Sequence, residues 1–307
     1  MPQKPDISII IVSYNVWGYL DKCIQSILPQ EGVIPEIIVV DNNSSDGTVQ
    51  NLETKYPQVK RIVNTINAGF SGANNQGIQE STADVILLLN PDTEILGSHI
   101  LQKMRVTLLS NPQTGILAPK LINTDGSLQP SFWPFPGVTD IFLELFYLHL
   151  IKRQEEPIAL KQIEAAAGAA LCMRKALVME LGGIDANMFW MEDTDLCYRV
   201  SLTGKGIIYD PTVKIIHHGG KSSENKYHIS IPNQVISKIK YFRKNGSWLQ
   251  FITSDILSLL FIISRLLVFG LLSMGGNSTY ILKRKAYQQA LVNYFRYNFS
   301  EEKGIIR

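Results

Sequence analysis

The chain is short of cysteine and of net charge. Three thiols in 307 residues (Cys23, Cys172 and Cys197) are too few and too scattered for a disulfide framework or a zinc ribbon, and they suit a reducing compartment. Charged residues make up 18% and the net charge is +2, so neither a disordered chain nor a general grip on nucleic acid is indicated. The 22 glycines and 14 prolines follow no collagen period, and no repeat of solenoid length is found. The apolar run from Ile7 to Val12 is too short for a signal sequence. What is plentiful is apolar: 45% of residues are hydrophobic. The length is that of about two domains, or of one α/β domain with an appendage, enough to bury a large core without staples.

The charge is unevenly spread. Nine basic residues and one acid, Asp255, lie between Lys238 and Arg296, a local +8 that leaves −6 for the rest of the chain. Inside this stretch Ile256 to Met274 is almost wholly apolar, with the single charge of Arg265. At about 19 residues it reaches the length of a membrane span. Ser254, Ser258 and Arg265 fall on one helical stripe, which suits a helix lying in the membrane surface equally well. A buried helix or an oligomer interface is the remaining alternative. The basic flanks at 238–244 and 283–285 suit the cytoplasmic side of an anionic bilayer. The expected organisation is a catalytic domain over 1–235 and a helical, apolar and basic extension over 236–307.

The first 120 residues alternate strand and helix. Apolar runs at 7–12, 36–40, 61–63 and 85–89 read as strands, with helices over 19–28 and 72–80. Near-continuous apolar strands between helices indicate a mostly parallel sheet covered on both faces. Ligands of such sheets sit beyond the carboxyl ends of the strands, where Ser13-Tyr14-Asn15, Asp41 and Asn90-Pro91-Asp92 all fall. Asn123 to Gly137, rich in turn formers and aromatics, reads as a long loop placed as a lid or acceptor-side flap. Ile141 to Ile151 reads as a helix, Ala165 to Met173 as a small-residue segment with Gly168 at a point of close packing. Further helices are expected over 175–181 and 192–202, and strands over 206–209 and 213–216.

Several clusters carry chemistry. Asp41 closes a strand, where its carboxylate can accept a hydrogen bond from a pyrimidine N3–H; Ser44, Ser45 and Asp46 read better as helix caps. The loop from Asn67 to Asn75 opens a helix, and its backbone N–H groups can face a diphosphate or a base. Its Gly-x-x-Gly spacing is not that of the dinucleotide fingerprint. Asn90-Pro91-Asp92 offers a carboxylate for a divalent cation, and equally a plain β-turn. Glu192, Asp193 and Asp195 pack three carboxylates into four positions beside Phe189 and Trp190. Such neighbours raise one another's pKa, which suits a general base, while Asp195 and Arg199 are spaced to pair along a helix. His217-His218-Gly219-Gly220 follows a strand, and a neutral imidazole can complete a Mn²⁺ or Mg²⁺ site.

Six motifs in this order (Ile-Ile-Val-Ser-Tyr-Asn at 10–15, Val-Val-Asp-Asn-Asn-Ser-Ser-Asp-Gly-Thr at 39–48, Asn-x-Gly-Phe-x-Gly-x-Asn at 67–74, Leu-Leu-Asn-Pro-Asp at 88–92, Glu-Asp-x-Asp-Leu-Cys-x-Arg at 192–199, His-His-Gly-Gly-x-Ser at 217–222) resemble the family 2 inverting glycosyltransferases with a GT-A fold. The nearest resemblance is to bacterial rhamnosyltransferase-like members that build cell-surface polysaccharide, and it covers about residues 6–225. It implies an α/β, Rossmann-like fold and a nucleoside diphosphate sugar donor, UDP- or dTDP-linked. It implies that Ser13, Tyr14, Asn15, Asp41, Asn43, Asn67, Gly69, Asn74 and Asn90 bind the nucleotide. Asp92 and His217 would meet a divalent cation, Mn²⁺ or Mg²⁺. Asp193, with Glu192 beside it, would deprotonate a hydroxyl of a glycan or lipid-linked acceptor. Asn90 stands where the family's metal motif has its first Asp, which removes a charge from the cation site. The alternative is a retired transferase, a nucleotide-sugar-binding scaffold in a polysaccharide assembly. Expected partners are the donor, the acceptor and a membrane surface at the inner face of the plasma membrane, with homo-oligomerisation open and nucleic acid excluded.

Overall fold

The structure, a computed structural model, describes residues 3–146, 156–219 and 227–299. Its first half runs β1 (Ile7–Ser13), α1 (Trp17–Ile27), β2 (Pro35–Asp41), α2 (Thr48–Lys55), β3 (Lys60–Val63), α3 (Gly69–Glu80), β4 (Val85–Leu89), β5 (Thr93–Ile95), α4 (Ile100–Ser110) and β6 (Thr114–Ile122). Then follow β7 (Phe132–Trp133), α5 (Val138–Leu145), β8 (Lys161–Ile163), β9 (Ala165–Ala166), β10 (Ala170–Arg174), α6 (Lys175–Glu180), α7 (Glu192–Leu202) and β11 (Gly206–His217). Three long helices close the chain: α8 (Tyr227–Asn245), α9 (Trp248–Ser273) and α10 (Ser278–Phe299).

Among the described residues the main sheet has nine strands in the order β3-β2-β1-β4-β10-β6-β11-β5, with β8 beside β11. β3, β2, β1 and β4 run parallel, as do β6 and β11. β10 enters antiparallel between β4 and β6, and β5 and β8 are antiparallel to β11. The alternation of side chains along β1 shows why these runs are continuous. Ile7, Ile9 and Ile11 pack on one face with Leu20 and Ile24 of α1, while Ile10 packs on the other with Ile78 of α3. α3 lies so close that a Cβ on Gly77 would stand 2.4 Å from Ile10 Cγ2.

The sequence reading has no strand at the central β6, which contains Pro119. Proline removes a ladder donor, which argues against a central strand. The structure tolerates it because Pro119 opposes Asp210 where β11 itself shifts register before Lys214. That irregularity also joins the two strands expected at 206–209 and 213–216 into one, its turn held by Asp210 Oδ1 accepting from the Thr212 N–H at 2.9 Å. α3 starts at Gly69, three residues before the expected Gly72. The helix expected over 141–151 starts at Val138 and ends at Leu145; 147–151 lie outside the described residues.

Contacts divide the chain into two units. One holds 1–135, 156–186 and 192–222; the other holds 136–155, 187–191 and 223–307. The second therefore recruits two short segments from the middle of the sequence. Its own core contains Val235, Ile239, Ile262, Ala290 and Tyr294. Asp255, the lone acid of the basic stretch, accepts from Tyr294 Oη at 2.8 Å and from Asn298 Nδ2 at 3.0 Å. α9 opens with a capping box, in which Ser247 Oγ accepts from the Gln250 N–H and Gln250 Oε1 from the Ser247 N–H.

α9 spans 26 residues and is the one described helix long and apolar enough to cross a membrane by length and composition. Its polar stripe points inward: Ser254, Ser258 and Arg265 are buried. Leu260, Ile263, Leu267 and Leu271 are exposed on the outer face. A stripe of serines with an arginine reads from sequence as the water-facing side; here it is the packed side.

Candidate active site

β1 and β2 end in register, Ser13 opposite Asp41. Both are buried, and Ser13 Oγ and Asp41 Oδ1 lack a hydrogen-bond partner among the described residues. Asp41 Oδ2 accepts the Ser44 N–H at 2.9 Å. A buried hydroxyl and half of a buried carboxylate left unsatisfied at the carboxyl edge of a sheet are costly, and they are the hydrogen-bonding groups that a bound base or sugar would satisfy. Asn15, in the left-handed region at φ 54, accepts the Ser45 N–H at 2.7 Å and donates its own N–H to Ser44 Oγ at 3.0 Å. Asn tolerates this backbone region. The loops after β1 and β2 are thereby sewn together. Tyr14 and Asn43 (φ 66) stand exposed on the rim. Asp46 caps, as expected: it accepts from the Trp17 N–H at the start of α1 and from Thr48 at the start of α2. Burial would raise its pKa, but these hydrogen bonds outweigh it and hold the carboxyl below its usual range.

The sequence reading passed over Asn42. Its Oδ1 accepts from Asn64 Nδ2 at 2.9 Å and the Ala68 N–H at 3.2 Å, and its Nδ2 donates to Gly69 O at 3.1 Å. This one amide ties the end of β2 to the start of α3. Asn67 Oδ1 accepts the Gly69 N–H at 2.9 Å, and Gly69 has φ +74, the left-handed turn that admits the chain to the helix. Asn74 is buried and its Nδ2 donates to Phe70 O at 3.0 Å within α3.

After β4 the chain turns sharply. The Asn90 N–H donates to Ala169 O at 2.9 Å, and Thr93 Oγ1 donates to Asn90 O at 2.7 Å. The buried Asp92 Oδ1 lies 3.4 Å from His217 Nε2. The tautomer of His217 follows from its other neighbours. Gln129 Nε2 donates to Asn123 Oδ1 at 3.0 Å and His217 O at 3.3 Å, so Gln129 Oε1 faces His217 Nδ1 at 2.7 Å as an acceptor. Nδ1 then carries a proton, and Nε2 stands beside the Asp92 carboxylate. An imidazole nitrogen and a carboxylate oxygen 3.4 Å apart are groups that a cation can share. Among the described residues no cluster of three or more His, Cys, Asp or Glu could hold a metal ion by itself. A cation of the Mg²⁺ type takes few protein ligands and completes its shell with water and phosphate, so a two-residue protein contribution fits. His218 was missed as a partner: its Nε2 lies 2.7 Å from Glu94 Oε1 and its ring 5.1 Å from that of Tyr19, which pins the strand end. Gly220, Lys221 and Ser222 of the same motif lie outside the described residues.

Asp193 stands in the first turn of α7. Its Oδ2 accepts the Gly168 N–H at 2.9 Å and its Oδ1 accepts the Thr194 N–H at 2.6 Å. Gly168 is needed for this approach, since a Cβ there would stand 3.3 Å from Asp193 Cβ. The next residue, Ala169, accepts from Asn90, so the carboxylate and the Asn90-Pro91-Asp92 turn are tied to the same two residues. Phe70, Leu171, Ile184 and Leu196 wall the crevice that Glu192 and Asp193 also line. Loss of solvation there pushes the Asp193 carboxyl above its ordinary value, and the hydrogen bonds from Gly168 and Thr194 only partly offset it. Asp195 is fully buried and pairs with Arg199 Nε at 2.8 Å; Arg199 also donates to Leu181 O and Gly183 O. That carboxylate holds the loop before α7 and is unavailable for proton transfer.

The fold is that of the GT-A glycosyltransferases, and the likeness to known proteins agrees. The structure superposes on a mannosyltransferase from Pyrobaculum calidifontis solved with GDP-mannose and Mn²⁺, with TM-score 0.58 and 16% identity over 98% of this chain and 89% of that one. Residues 8–130 match the model of Glycosyl transferase family 2. It is 24% identical over 71% of its length to the N-acetylglucosaminyl-diphospho-decaprenol L-rhamnosyltransferase of Mycobacterium tuberculosis, covering 77% of that protein. It is 26% identical over 82% of its length to a low-salt glycan biosynthesis hexosyltransferase of Haloferax volcanii, covering 81% of it.

Proposed function

We propose that this glycosyltransferase moves a hexosyl group, with inversion, from a UDP- or dTDP-sugar to a hydroxyl of a lipid-linked or glycan acceptor, at the cytoplasmic face of the plasma membrane. The observation that carries the reading is the Asp193 carboxylate, clasped to Gly168 in an apolar crevice with its pKa raised. A single carboxylate so placed suits removal of the acceptor proton in a one-step, in-line displacement, with Glu192 lining the same crevice. Ser13 and Asp41, with unsatisfied buried atoms, take the base and ribose; Tyr14, Asn15 and Asn43 shape the rim, and Asn67, Gly69 and Asn74 form the helix start that faces the diphosphate. Asp92 and His217 are the residues that would hold a divalent cation, Mn²⁺ or Mg²⁺, with Asn90 beside them. When bound, that cation neutralises charge on the departing nucleoside diphosphate. Support for the acceptor comes from the relatives' names, which include a diphospho-decaprenol substrate, and for the membrane from the exposed apolar face of α9.

The test is calorimetric titration of UDP, dTDP and GDP into the full chain, with and without Mn²⁺. Binding of one pyrimidine diphosphate, strengthened by metal and weakened about tenfold or more by Asp41→Ala, is the expected result. Absence of binding by all three nucleotides removes the donor-site reading.

A further inference from the structure

The helical unit contains a cavity of about 510 Å³ whose described lining residues come from α5, α8, α9 and α10. Three cations reach it. Arg265 is buried, donates to the carbonyls of Glu144 (2.6 Å) and Leu145 (3.3 Å) at the end of α5, and stacks 4.6 Å over Phe261. Lys238 pairs with Glu144. Lys283 lies 5.4 Å over the ring of Tyr227 and 5.6 Å over that of Phe269 and has no carboxylate partner among the described residues. Among the described residues Glu144 is the one carboxylate in the lining against three cations, between aromatic and aliphatic walls.

This pairing of chemistry is selective. Cations beside aromatic rings hold an anion such as a phosphate, and Arg265, its guanidinium fixed by two carbonyls, adds a positive charge that does not move away. Walls of this kind give an inorganic anion nothing further, whereas they suit an anion that continues into hydrocarbon. α9 supplies such a continuation. The helix that turns Ser258 and Arg265 into the cavity turns Leu260, Ile263, Leu267 and Leu271 outward, with Leu267 66% and Leu271 70% exposed. Large exposed apolar stripes on a chain with an ordinary core mark contact with an apolar partner.

We propose that the helical unit binds a lipid phosphate or diphosphate, its head among Lys238, Arg265 and Lys283 and its chain against the apolar side of the helices. This deepens the proposed function by naming how a lipid-linked acceptor is anchored, and it rests on that reading for the ligand's role as acceptor. The same head chemistry could come from a free phosphate, and the test separates the two.

Full-length protein is titrated with farnesyl diphosphate, inorganic pyrophosphate and farnesol, and in the same series with UDP and dTDP. Farnesyl diphosphate is expected to bind, with pyrophosphate and farnesol each at least about tenfold weaker. Lys283→Met is expected to weaken farnesyl diphosphate about tenfold and to leave nucleotide binding unchanged. Lys285→Met, which removes an exposed cation outside the lining, is expected to alter neither. Equal binding of pyrophosphate and farnesyl diphosphate overturns the lipid assignment, and insensitivity to Lys283→Met places the ligand elsewhere and overturns the site. Nucleotide binding without farnesyl diphosphate binding overturns this inference alone and leaves the proposed transfer standing. Farnesyl diphosphate binding without nucleotide binding does the reverse.

Discussion

Replacing Asp193 by Asn tests the chemistry at its centre. The side chain keeps its shape but loses its basicity. Removal of a general base costs about 10²- to 10⁴-fold in rate, or roughly 3–5 kcal/mol of barrier. The fold loses less. Two backbone donors, the N–H groups of Gly168 and Thr194, now bond to the two carboxylate oxygens. Asn offers one acceptor oxygen, so one donor loses its partner at a cost of about 1–3 kcal/mol, partly offset because no charge is buried. At this chain length the melting temperature falls by roughly 2–4 °C per kcal/mol. The pH dependence has a definite sign. Asp193 has a raised pKa in the fold. The turnover rate therefore falls as pH drops through that raised value, above the usual Asp range. Stability runs the other way: the folded protein binds the proton more tightly than the unfolded chain, so this group's contribution is full below the unfolded pKa and is lost as pH rises through the folded one. The assay is single-turnover sugar transfer against pH, with calorimetric nucleotide binding and a thermal melt on the same preparation. A variant that binds nucleotide, melts within a few degrees of wild type and still transfers sugar within tenfold of the wild-type rate would refute Asp193 as the base.

Two further outcomes follow from the same geometry. Gln129→Leu removes the acceptor that sets the His217 tautomer; apparent affinity for Mn²⁺ in the presence of nucleotide should fall about 10- to 100-fold with little change in melting temperature, and unchanged metal dependence would remove His217 from the cation site. Gly77→Ala drives a methyl to within 2.4 Å of Ile10 Cγ2; denaturant unfolding should show about 1–3 kcal/mol of destabilisation, and a neutral result would mean that α3 can lift from β1 freely.

The parts of the site that were legible in the sequence are local in the chain. Ser13, Asp41 and Asn90-Pro91-Asp92 each follow an apolar β run directly, and the carboxyl end of a buried strand is a place that hydrophobic patterning locates by itself. The capping role of Asp46 and the i, i+4 pair of Asp195 with Arg199 were legible for the same reason, since a helix brings such positions together whatever surrounds it. The apolar, basic texture of the last 70 or so residues also stood out in composition.

Tertiary structure decided what depends on partners far along the chain. Gly168 and Asp193 are 25 residues apart and Gln129 and His217 are 88 apart, and neither pair has a spacing that any regular element could impose. The burial that raises the Asp193 pKa, and the Gly168 N–H that partly offsets it, arise where β10 inserts antiparallel beside β4 and carries the small residues before it to the end of the sheet. The place of Pro119 in a central strand depends on an irregularity in β11, about 90 residues later. In α9 the sequence defined a polar stripe and an apolar one, but the helical period does not say which faces inward. The tertiary structure turns the polar stripe inward, where Arg265 donates to the Glu144 and Leu145 carbonyls at the end of α5, and leaves the leucines outside.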